Sequence, residues 1–458
     1  MEKFIIEGGN ILKGEVGLCG AKNSGFKLMI AALYADEPST LHNFSKIGDV
    51  FSTAETIREL GGEVCFAQNH VLTVSGRGLK SQNISLSSGR LSRAATYFIG
   101  PLLFRFGRVI LPVPGGCKIG QRPIDRHLEG IRALGAKIEE KEGCYEISAK
   151  RLKGTTFVFP KNTHGGTDIM IIAAATAEGR TVLENAAEEP EVDDLIAFLN
   201  QMGAKIRRDD SRTIVIDGVK KLKPAEYTIM FDRNEAVTFA CAALATQGDV
   251  FVRNADARKL GAFLEAVEKA GGRYEVENRG IRFYYRKPLQ AVDITTRPYP
   301  GFMTDWMSLW AVLMTQAKGE SIIHETIFEN RFAFLKELQK MGVKVEFFNP
   351  RVDDPELVYN FNLEDDRPEY FHAAKITGPT ALEATCQEIT DVRAGATLML
   401  ASLIAKGRSE LTGIEHVDRG YENLDDRLCS LGAKIERVAN EEAISPAAEK
   451  IGQTVAGN

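Results

Sequence analysis

The stretch "IRELGGEV" (residues 57–64) returns along the chain in closely related forms. Each copy reads as the end of an amphipathic helix, a glycine that caps this helix, and the first residues of a strand. The further copies are "IRALGAKI" (131–138), "LNQMGAKI" (199–206), "VEKAGGRY" (267–274), "LQKMGVKV" (338–345) and "CSLGAKIE" (429–436). The sequence therefore predicts one supersecondary unit that is used six times.

Each unit also holds an earlier segment that is apolar on nearly every side. These segments cover residues 27–35, 94–104, 168–177, 236–245, 306–314 and 396–405. A helix without a polar face must be buried, whereas the helix before each repeated phrase carries charges and covers the outside. We expect an α/β fold of two domains with three units each, in which three buried helices lie inside a shell of strands and outer helices. The alternative is an irregular α/β protein whose glycine caps merely look alike.

Composition narrows the class of protein. The chain has 458 residues, of which 44% are hydrophobic and 26% charged, and its formal net charge is −5. This balance argues against a general nucleic-acid binder, which normally carries a basic surface. The start of the sequence does not resemble a signal peptide, and its apolar runs are too short for a membrane span, so we expect a cytoplasmic protein without a membrane partner.

Cysteine and histidine usage points the same way. The seven cysteines contain no CxxC pair, which fits free thiols in a reducing compartment. The seven histidines show no metal-ligand spacing. We expect neither a metal nor a cofactor.

The starts of the buried helices predict an anion site. A helix N-terminus offers unpaired N–H groups and a partial positive charge, so several of them opening into one cleft favour a phosphate-rich ligand. The residues at these starts are polar or ionic: Lys22, Asn23, Arg93, Gly165, Gly166, Asp305, Asp391 and Arg393.

A single thiol stands out in "VPGGCKIGQRPIDRH" (113–127), where two glycines precede Cys117. The charges of Lys118 and Arg122 favour the thiolate, and the glycines let the backbone turn sharply. These features predict a reactive cysteine on a loop. The alternative is a small residue that fills a turn.

Five motifs in order resemble one family. They are "GAKNS" (20–24), "PGGCKIGQRPIDRH" (114–127), "ENAAEEPEV" (184–192), "FENRF" (328–332) and "DRGYE" (418–422). Together they are similar to the UDP-N-acetylglucosamine 1-carboxyvinyltransferases. The resemblance implies a two-domain inside-out α/β barrel. It also implies transfer of the enolpyruvyl group of phosphoenolpyruvate to the 3-hydroxyl of UDP-N-acetylglucosamine with release of phosphate, the first committed step of peptidoglycan precursor synthesis.

The resemblance assigns the catalytic roles. It implies that Lys22, Arg122 and Arg419 bind phosphoenolpyruvate, with Asp391 and Arg393 at the far side of the cleft. Cys117 would be the proton donor and the target of fosfomycin, and Asp305 would lie near the attacking hydroxyl. Taken singly, the cations could equally be solvated surface residues, and the aspartate could cap its helix.

The resemblance also implies an acceptor site, in which Arg331 supports the geometry. Its lining residues would be Asn23, Arg93, Arg122, Pro123, Asp125, His127, Thr163, Gly165, Asp305 and Ile327. His127 could equally be an ordinary buried histidine. Three features depart from the family pattern: Tyr97 stands where tryptophan is common, His164 stands where a small aliphatic residue is usual, and the segment 347–375 is atypical.

The predicted domains are 1–21 with 232–458, and 22–231, with a mobile tail over about 440–458. The chain crossings near residues 21 and 231 would act as hinges that close the cleft on its ligands. The rival functions are the sister transferase that uses shikimate 3-phosphate, and a catalytically silent binding paralogue. An RNA-end cyclase is disfavoured, because no motif for a nucleophilic histidine is visible.

Overall fold

The computed structural model describes residues 2–87, 93–113 and 124–439. Its buried side chains form two hydrophobic cores. One core contains residues between 4 and 18 and between 236 and 433. The other contains residues between 28 and 229. The predicted Cys117 loop and the tail beyond residue 439 lie outside the described residues.

In the described part of the chain, the strands form five mixed four-stranded sheets and one antiparallel three-stranded sheet. In each four-stranded sheet, one edge strand runs parallel to its neighbour and the other pairs are antiparallel. The three sheets formed by residues 39–228 have the strand orders Glu226–Thr228, Ser39–His42, Val71–Ser75 and Glu63–Phe66; Arg108–Pro112, Cys144–Ser148 and Lys137–Lys141; and Thr156–Val158, Arg180–Glu184, Thr213–Asp217 and Lys205–Asp210. The other three sheets have the strand orders Lys13–Gly17, Asp249–Arg253, Gly280–Tyr284 and Arg273–Glu277; Ile294–Thr295, Gly319–His324, Ala373–Gly378 and Lys344–Phe348; and Cys386–Glu388, Arg408–Thr412, Glu2–Glu7 and Lys434–Ala439.

Two kinds of helix accompany the sheets. The apolar helices are Lys22–Ala32, Ile99–Phe106, His164–Ala174, Arg233–Ala245, Thr304–Thr315 and Val392–Ile404. The helices that precede the repeated phrase are Gly48–Glu59, Asp125–Ala133, Pro190–Gln201, Gly261–Lys269, Ala333–Lys340 and Leu424–Ser430. Short helices cover Pro355–Val358 and Glu415–Asp418, and 3₁₀ turns cover Arg93–Phe98, Ala257–Lys259 and Leu363–Asp365.

Burial separates the two kinds as the sequence predicts. Every residue of Arg233–Ala245 is buried. In Gly261–Lys269, by contrast, only Phe263, Leu264, Ala266 and Val267 are buried. The difference follows from the polar face that the second helix carries and the first lacks. None of the helices in the described ranges is long and apolar enough to cross a membrane.

The predicted glycine caps adopt the left-handed conformation. Their φ angles lie between +78° and +104° at Gly61, Gly135, Gly203, Gly271, Gly342 and Gly432. A residue with a Cβ atom is strained in this region, so glycine is favoured at each helix end.

The chain crosses twice between the two cores. The strand Lys13–Gly17 comes just before the helix Lys22–Ala32 but pairs with Asp249–Arg253. The strand Glu226–Thr228 comes just before Arg233–Ala245 but pairs with Ser39–His42. The two crossing segments meet in an antiparallel bridge between Gly20 and Phe231. A Cβ atom on Gly20 would lie 1.7 Å from the carbonyl oxygen of Asn43, so only glycine fits at this point.

Candidate active site

A cleft of about 510 Å³ lies between the two cores. The predicted site residues that line it are Lys22, Asn23, Arg93, His127, Thr163, Gly165, Asp305, Ile327, Arg331, Asp391, Arg393 and Arg419. They come from distant parts of the chain, and most are polar or ionic. The volume is within the range of small-molecule sites.

Four predicted site residues are not among these lining residues. Cys117, Arg122 and Pro123 lie outside the described residues. Asp125 is exposed in the first turn of its helix, and one carboxylate oxygen lies 3.5 Å from the amide nitrogen of Asn362. The roles given to these residues stay predictions.

Two of the predicted cations share one carboxylate. Lys22 Nζ lies 2.8 Å from one oxygen of Asp49, and Arg419 Nε lies 2.6 Å from the other. Burial raises the pKa of Asp49, but the charges of Lys22 and Arg419 outweigh this effect and hold the pKa below its usual value. Asp49 therefore stays ionised and holds the two cations side by side, although one lies near the start of the chain and the other near its end.

Asp305 is held by two arginines. Its oxygens lie 3.0 Å from Arg393 Nη2 and 3.4 Å from Arg331 Nη2. Burial raises the pKa of Asp305, but the two guanidinium charges outweigh this effect and hold the pKa well below its usual range. Met303 occupies the N-cap of the helix, so Asp305 is not the cap, although its charge in the first turn still favours the helix dipole.

Other helix starts at the cleft are capped by side chains. The hydroxyl oxygen of Thr163 accepts a hydrogen bond from the backbone N–H of Gly166 at 3.2 Å. The carboxylate of Asp391 accepts from the N–H groups of Arg393 and Ala394. These caps satisfy orphan helix donors and fix where each helix begins. The cap role accounts for both residue types and leaves their ligand contacts as predictions.

The helix that begins at His164 lies close to His127. A Cβ atom on Gly165 would lie 3.3 Å from the Tyr97 hydroxyl and 3.4 Å from His127 Nε2. A Cβ atom on Gly166 would lie 3.2 Å from His127 Cδ2. The two glycines therefore permit a close approach between the helix start and the opposite wall.

The two departures at Tyr97 and His164 belong to one buried polar cluster. Lys27 Nζ donates to Asp168 Oδ2 at 2.7 Å and to His164 Nε2 at 3.0 Å. Burial and the charge of Lys27 lower the pKa of His164 to about 3, so the imidazole is neutral near pH 7 and its Nε2 is the acceptor. The Tyr97 hydroxyl lies 3.4 Å from Asp168 Oδ2. The departures are thus parts of one network.

Two glutamates from "ENAAEEPEV" lie near the same wall. Glu191 pairs with Arg233 through two hydrogen bonds of 2.9 Å, and both side chains are almost fully buried. Burial raises the pKa of Glu191, but Arg233 outweighs this effect and brings the pKa to about 2. Glu189 lines the cleft, and burial raises its pKa to about 7 in spite of Arg233. Near neutral pH, Glu191 is therefore ionised, whereas Glu189 is close to its pKa.

Sequence reasoning missed Asp49, Lys27, Asp168 and Glu189. Asp49 in the second position of its helix looks like an ordinary favourable charge in a first turn. Lys27 and Asp168 stand inside two of the apolar segments, and a charge on an otherwise apolar helix was the available signal. In the described ranges, no group of three His, Cys, Asp or Glu side chains is arranged to hold a metal ion.

Comparison with known proteins first gives the class. The family model for EPSP synthase (3-phosphoshikimate 1-carboxyvinyltransferase) matches residues 6–428. The enolpyruvyl transferase NikO from Streptomyces tendae has a TM-score of 0.83 at 24% identity, covering 96% of this chain and 99% of that one. EPSP synthase from Acinetobacter baumannii has a TM-score of 0.70 at 18% identity, covering 96% and 100%. The fold is that of the enolpyruvyl transferases.

Curated relatives then give the family. The UDP-N-acetylglucosamine 1-carboxyvinyltransferase 3 of Caldanaerobacter subterraneus subsp. tengcongensis is 41% identical over 438 residues, covering 96% of this chain and 100% of the relative. The UDP-N-acetylglucosamine 1-carboxyvinyltransferase of Halothermothrix orenii is 40% identical over 438 residues with the same coverage. The chain belongs to the UDP-N-acetylglucosamine 1-carboxyvinyltransferases, a family of transferases.

Proposed function

We propose that the protein transfers the enolpyruvyl group of phosphoenolpyruvate to the 3-hydroxyl of UDP-N-acetylglucosamine and releases phosphate. The observation that carries the proposal is the meeting of Lys22, Arg419, Arg393 and Asp305 in one cleft of a chain that is about 40% identical to transferases of that name. The product would be the first committed precursor of peptidoglycan.

The cations suit the donor substrate. Phosphoenolpyruvate carries a phosphate and a carboxylate, and guanidinium groups bind such oxyanions in a bidentate manner. Lys22 and Arg419 are held together by Asp49, and Arg393 lies at the wall of Asp305. A trianionic ligand among these groups would be attracted in spite of the net charge of −5.

The reaction needs one proton added and one removed before phosphate leaves. Cys117 would give a proton to the methylene carbon of phosphoenolpyruvate while the sugar 3-hydroxyl oxygen bonds to the neighbouring carbon and loses its own proton. The bond from this carbon to the phosphate oxygen then breaks, and a proton leaves the methyl group to restore the double bond. Fosfomycin would alkylate the same thiol.

Asp305 would accept or orient the hydroxyl proton. While Arg393 and Arg331 pair with it, its low pKa makes it a weak base. A bound anion that draws Arg393 away would raise the basicity of Asp305, so donor binding would prepare the carboxylate for the acceptor. This order is part of the proposal.

We also propose the finer architecture. The six units would form two inside-out barrels, with residues 1–21 and 232–458 in one domain and 22–231 in the other. Six sheets of related strand order and two separate cores support this reading. A cytoplasmic location and a role in cell division are further proposals, which follow from the resemblance to the family.

The test is release of phosphate from phosphoenolpyruvate, measured with a coupled assay. We expect release with UDP-N-acetylglucosamine and none with shikimate 3-phosphate. Release with shikimate 3-phosphate alone would favour the sister transferase. No release with either acceptor, together with binding of UDP-N-acetylglucosamine, would favour the silent paralogue.

A further inference from the structure

We name the segment 349–372 the strap. It connects the antiparallel strands Lys344–Phe348 and Ala373–Gly378, whose pairing already ends at Phe348 and Ala373. The corresponding hairpin in another sheet closes between Glu277 and Gly280 with two residues in between. The strap is therefore an addition to a hairpin that does not need it.

Aromatic packing anchors the strap on its own side. The ring centroids of Tyr359, Phe361 and His372 lie 4.9–5.1 Å apart. All three side chains are buried, and the N–H of Asn360 donates to the carbonyl oxygen of Thr326 at 2.7 Å. These contacts fix the strap against the core formed by residues 4–18 and 236–433.

The far part of the strap is bonded to the opposite wall. Arg126 donates to the carbonyl oxygen of Asn360 at 3.0 Å and to the side-chain oxygen of Asn362. Lys161 donates to the carbonyl oxygen of Tyr359 at 2.8 Å and pairs with Glu356 at 2.8 Å. The strap thus contacts both walls of the cleft, and its carbonyl oxygens accept hydrogen bonds from Arg126 and Lys161.

The position of these contacts is specific to one end of the cleft. Arg126 precedes His127, and Asn162, which accepts from the Asn360 amide at 2.8 Å, precedes Thr163. Both neighbours are predicted acceptor residues. The strap residues Asn360, Asn362 and Asp365 line the same cleft.

We propose that the strap is part of the acceptor site and that Asn362 and Asp365 recognise the nucleoside portion of the nucleotide sugar. The inference rests on the proposed function. Amide and carboxylate groups match the hydrogen-bonding edges of a ribose and a pyrimidine, whereas a diphosphate needs cations. The strap adds Glu356 and Asp365 and occupies Arg126, so its chemistry disfavours a diphosphate contact. Arg126 acts through the strap and is a positioning residue.

The experiment compares three variants with the wild type. The first replaces residues 349–372 with Asn-Gly, which suits a two-residue hairpin turn. The second is Asn362→Ala with Asp365→Ala, and the third is Arg126→Met. Glu369→Ala, at an exposed strap position, is the matched control. The readouts are KM for each substrate and, by calorimetry, Kd for uridine 5′-diphosphate and for N-acetylglucosamine 1-phosphate.

We expect the first two variants to raise the acceptor KM and the Kd for uridine 5′-diphosphate by about 10-fold, because two hydrogen bonds are lost. The KM for phosphoenolpyruvate and the Kd for N-acetylglucosamine 1-phosphate should change less than about twofold. Arg126→Met should act in the same direction, because Arg126 donates hydrogen bonds to Asn360 and Asn362 of the strap.

Two results would overturn the inference. One is an unchanged Kd for uridine 5′-diphosphate in the double variant, which does not depend on the excised chain folding. The other is an equal rise in both KM values, which would show a purely structural strap. Calorimetry needs no turnover, so a wild-type protein that binds uridine 5′-diphosphate but releases no phosphate would refute the proposed function without refuting this inference.

Discussion

The two ends of the cleft differ in how closely they follow the family pattern. At the proposed donor end, Lys22 and Arg419 stand in family motifs and meet on Asp49. At the proposed acceptor end, Tyr97 and His164 depart from the pattern and join a buried network with Lys27 and Asp168. The charged residues proposed for the small polyanion thus follow the family pattern, whereas the proposed acceptor wall does not.

The buried charge of Lys27 explains why His164 and Asp168 lie beside it. A buried lysine is costly unless a carboxylate and further acceptors surround it. Lys27 has Asp168 at 2.7 Å and His164 at 3.0 Å, and its own side chain is 1% exposed. Lys27 would be destabilising without these partners, so Lys27, Asp168 and His164 depend on one another.

The largest effect is expected at Cys117, the proposed proton donor. Cys117→Ala should lower kcat by about 100- to 10,000-fold, the range for loss of a general acid. Cys117→Asp should keep activity while resisting fosfomycin, because a carboxylic acid can deliver a proton but is a poor nucleophile toward an epoxide. Peptide mass mapping after fosfomycin treatment checks the site of modification. A label on another cysteine would remove Cys117 from this role.

The next largest effect is expected at the buried pair of Arg233 and Glu191. Arg233→Met leaves Glu191 buried without its partner and should lower the free energy of unfolding by about 3–5 kcal/mol. Urea unfolding measures this change. Arg180→Met, which breaks an exposed pair with Asp217, should leave the free energy of unfolding nearly unchanged. Equal costs for the two variants would contradict a structural role for the buried pair.

Glu189 should make stability depend on pH. Its folded pKa of about 7 exceeds the unfolded value, so the folded state favours the protonated carboxyl and loses stability as pH rises from about 4.5 through 7. Glu189→Gln removes this cost, and the variant should exceed the wild type by about 3 kcal/mol more at pH 9 than at pH 4. Urea unfolding at both pH values measures the difference. The same difference at both pH values would refute the shift.

Variants at the proposed donor end should act mainly on catalysis, because Asp49 keeps one of its two cations when the other is removed. Lys22→Ala and Arg419→Ala should each lower kcat/KM for phosphoenolpyruvate by about 10- to 150-fold, because each loses a charge-assisted contact of about 1.5–3 kcal/mol. Arg258→Ala, at an exposed position, is the control and should leave kcat/KM unchanged. Normal kinetics in both cleft variants would remove the donor assignment.

The smallest effect is expected for Tyr97→Phe. The variant loses a long hydrogen bond to Asp168 but keeps the edge-to-face contact with Phe26, whose ring centroid lies 5.2 Å away. The loss in unfolding free energy should be below about 1.5 kcal/mol. Thermal unfolding and the acceptor KM check this. A large rise in the acceptor KM would show that the hydroxyl meets the ligand.

Local signals allowed much of the fold to be predicted. The cap glycines could be recognised because a helix end needs a positive φ, and the buried helices because they lack a polar face. Local signals do not give the strand exchange, since Lys13–Gly17 pairs with a strand more than 200 residues away and nothing local marks the partner; the predicted crossings near residues 21 and 231 came from the family resemblance. Pairing across the crossing at Gly20 is set by the fold as a whole.

The site residues likewise fall into those that the sequence predicts and those that only the fold brings together. Residues in motifs, such as Lys22 and Arg393, could be predicted to share a cleft. Asp49 could not, because its two partners reach it only when the chain ends come together. The strap was visible as an atypical segment, but its contacts with Arg126 depend on how the two walls face each other.

The identity of the labelled product tests the proposed transfer to UDP-N-acetylglucosamine. The protein is incubated with phosphoenolpyruvate labelled in its enolpyruvyl carbons and with both UDP-N-acetylglucosamine and shikimate 3-phosphate, and the products are identified by mass spectrometry. We expect one labelled enolpyruvyl group on UDP-N-acetylglucosamine for each phosphate released. Label on shikimate 3-phosphate, or label found only in free pyruvate, would contradict it.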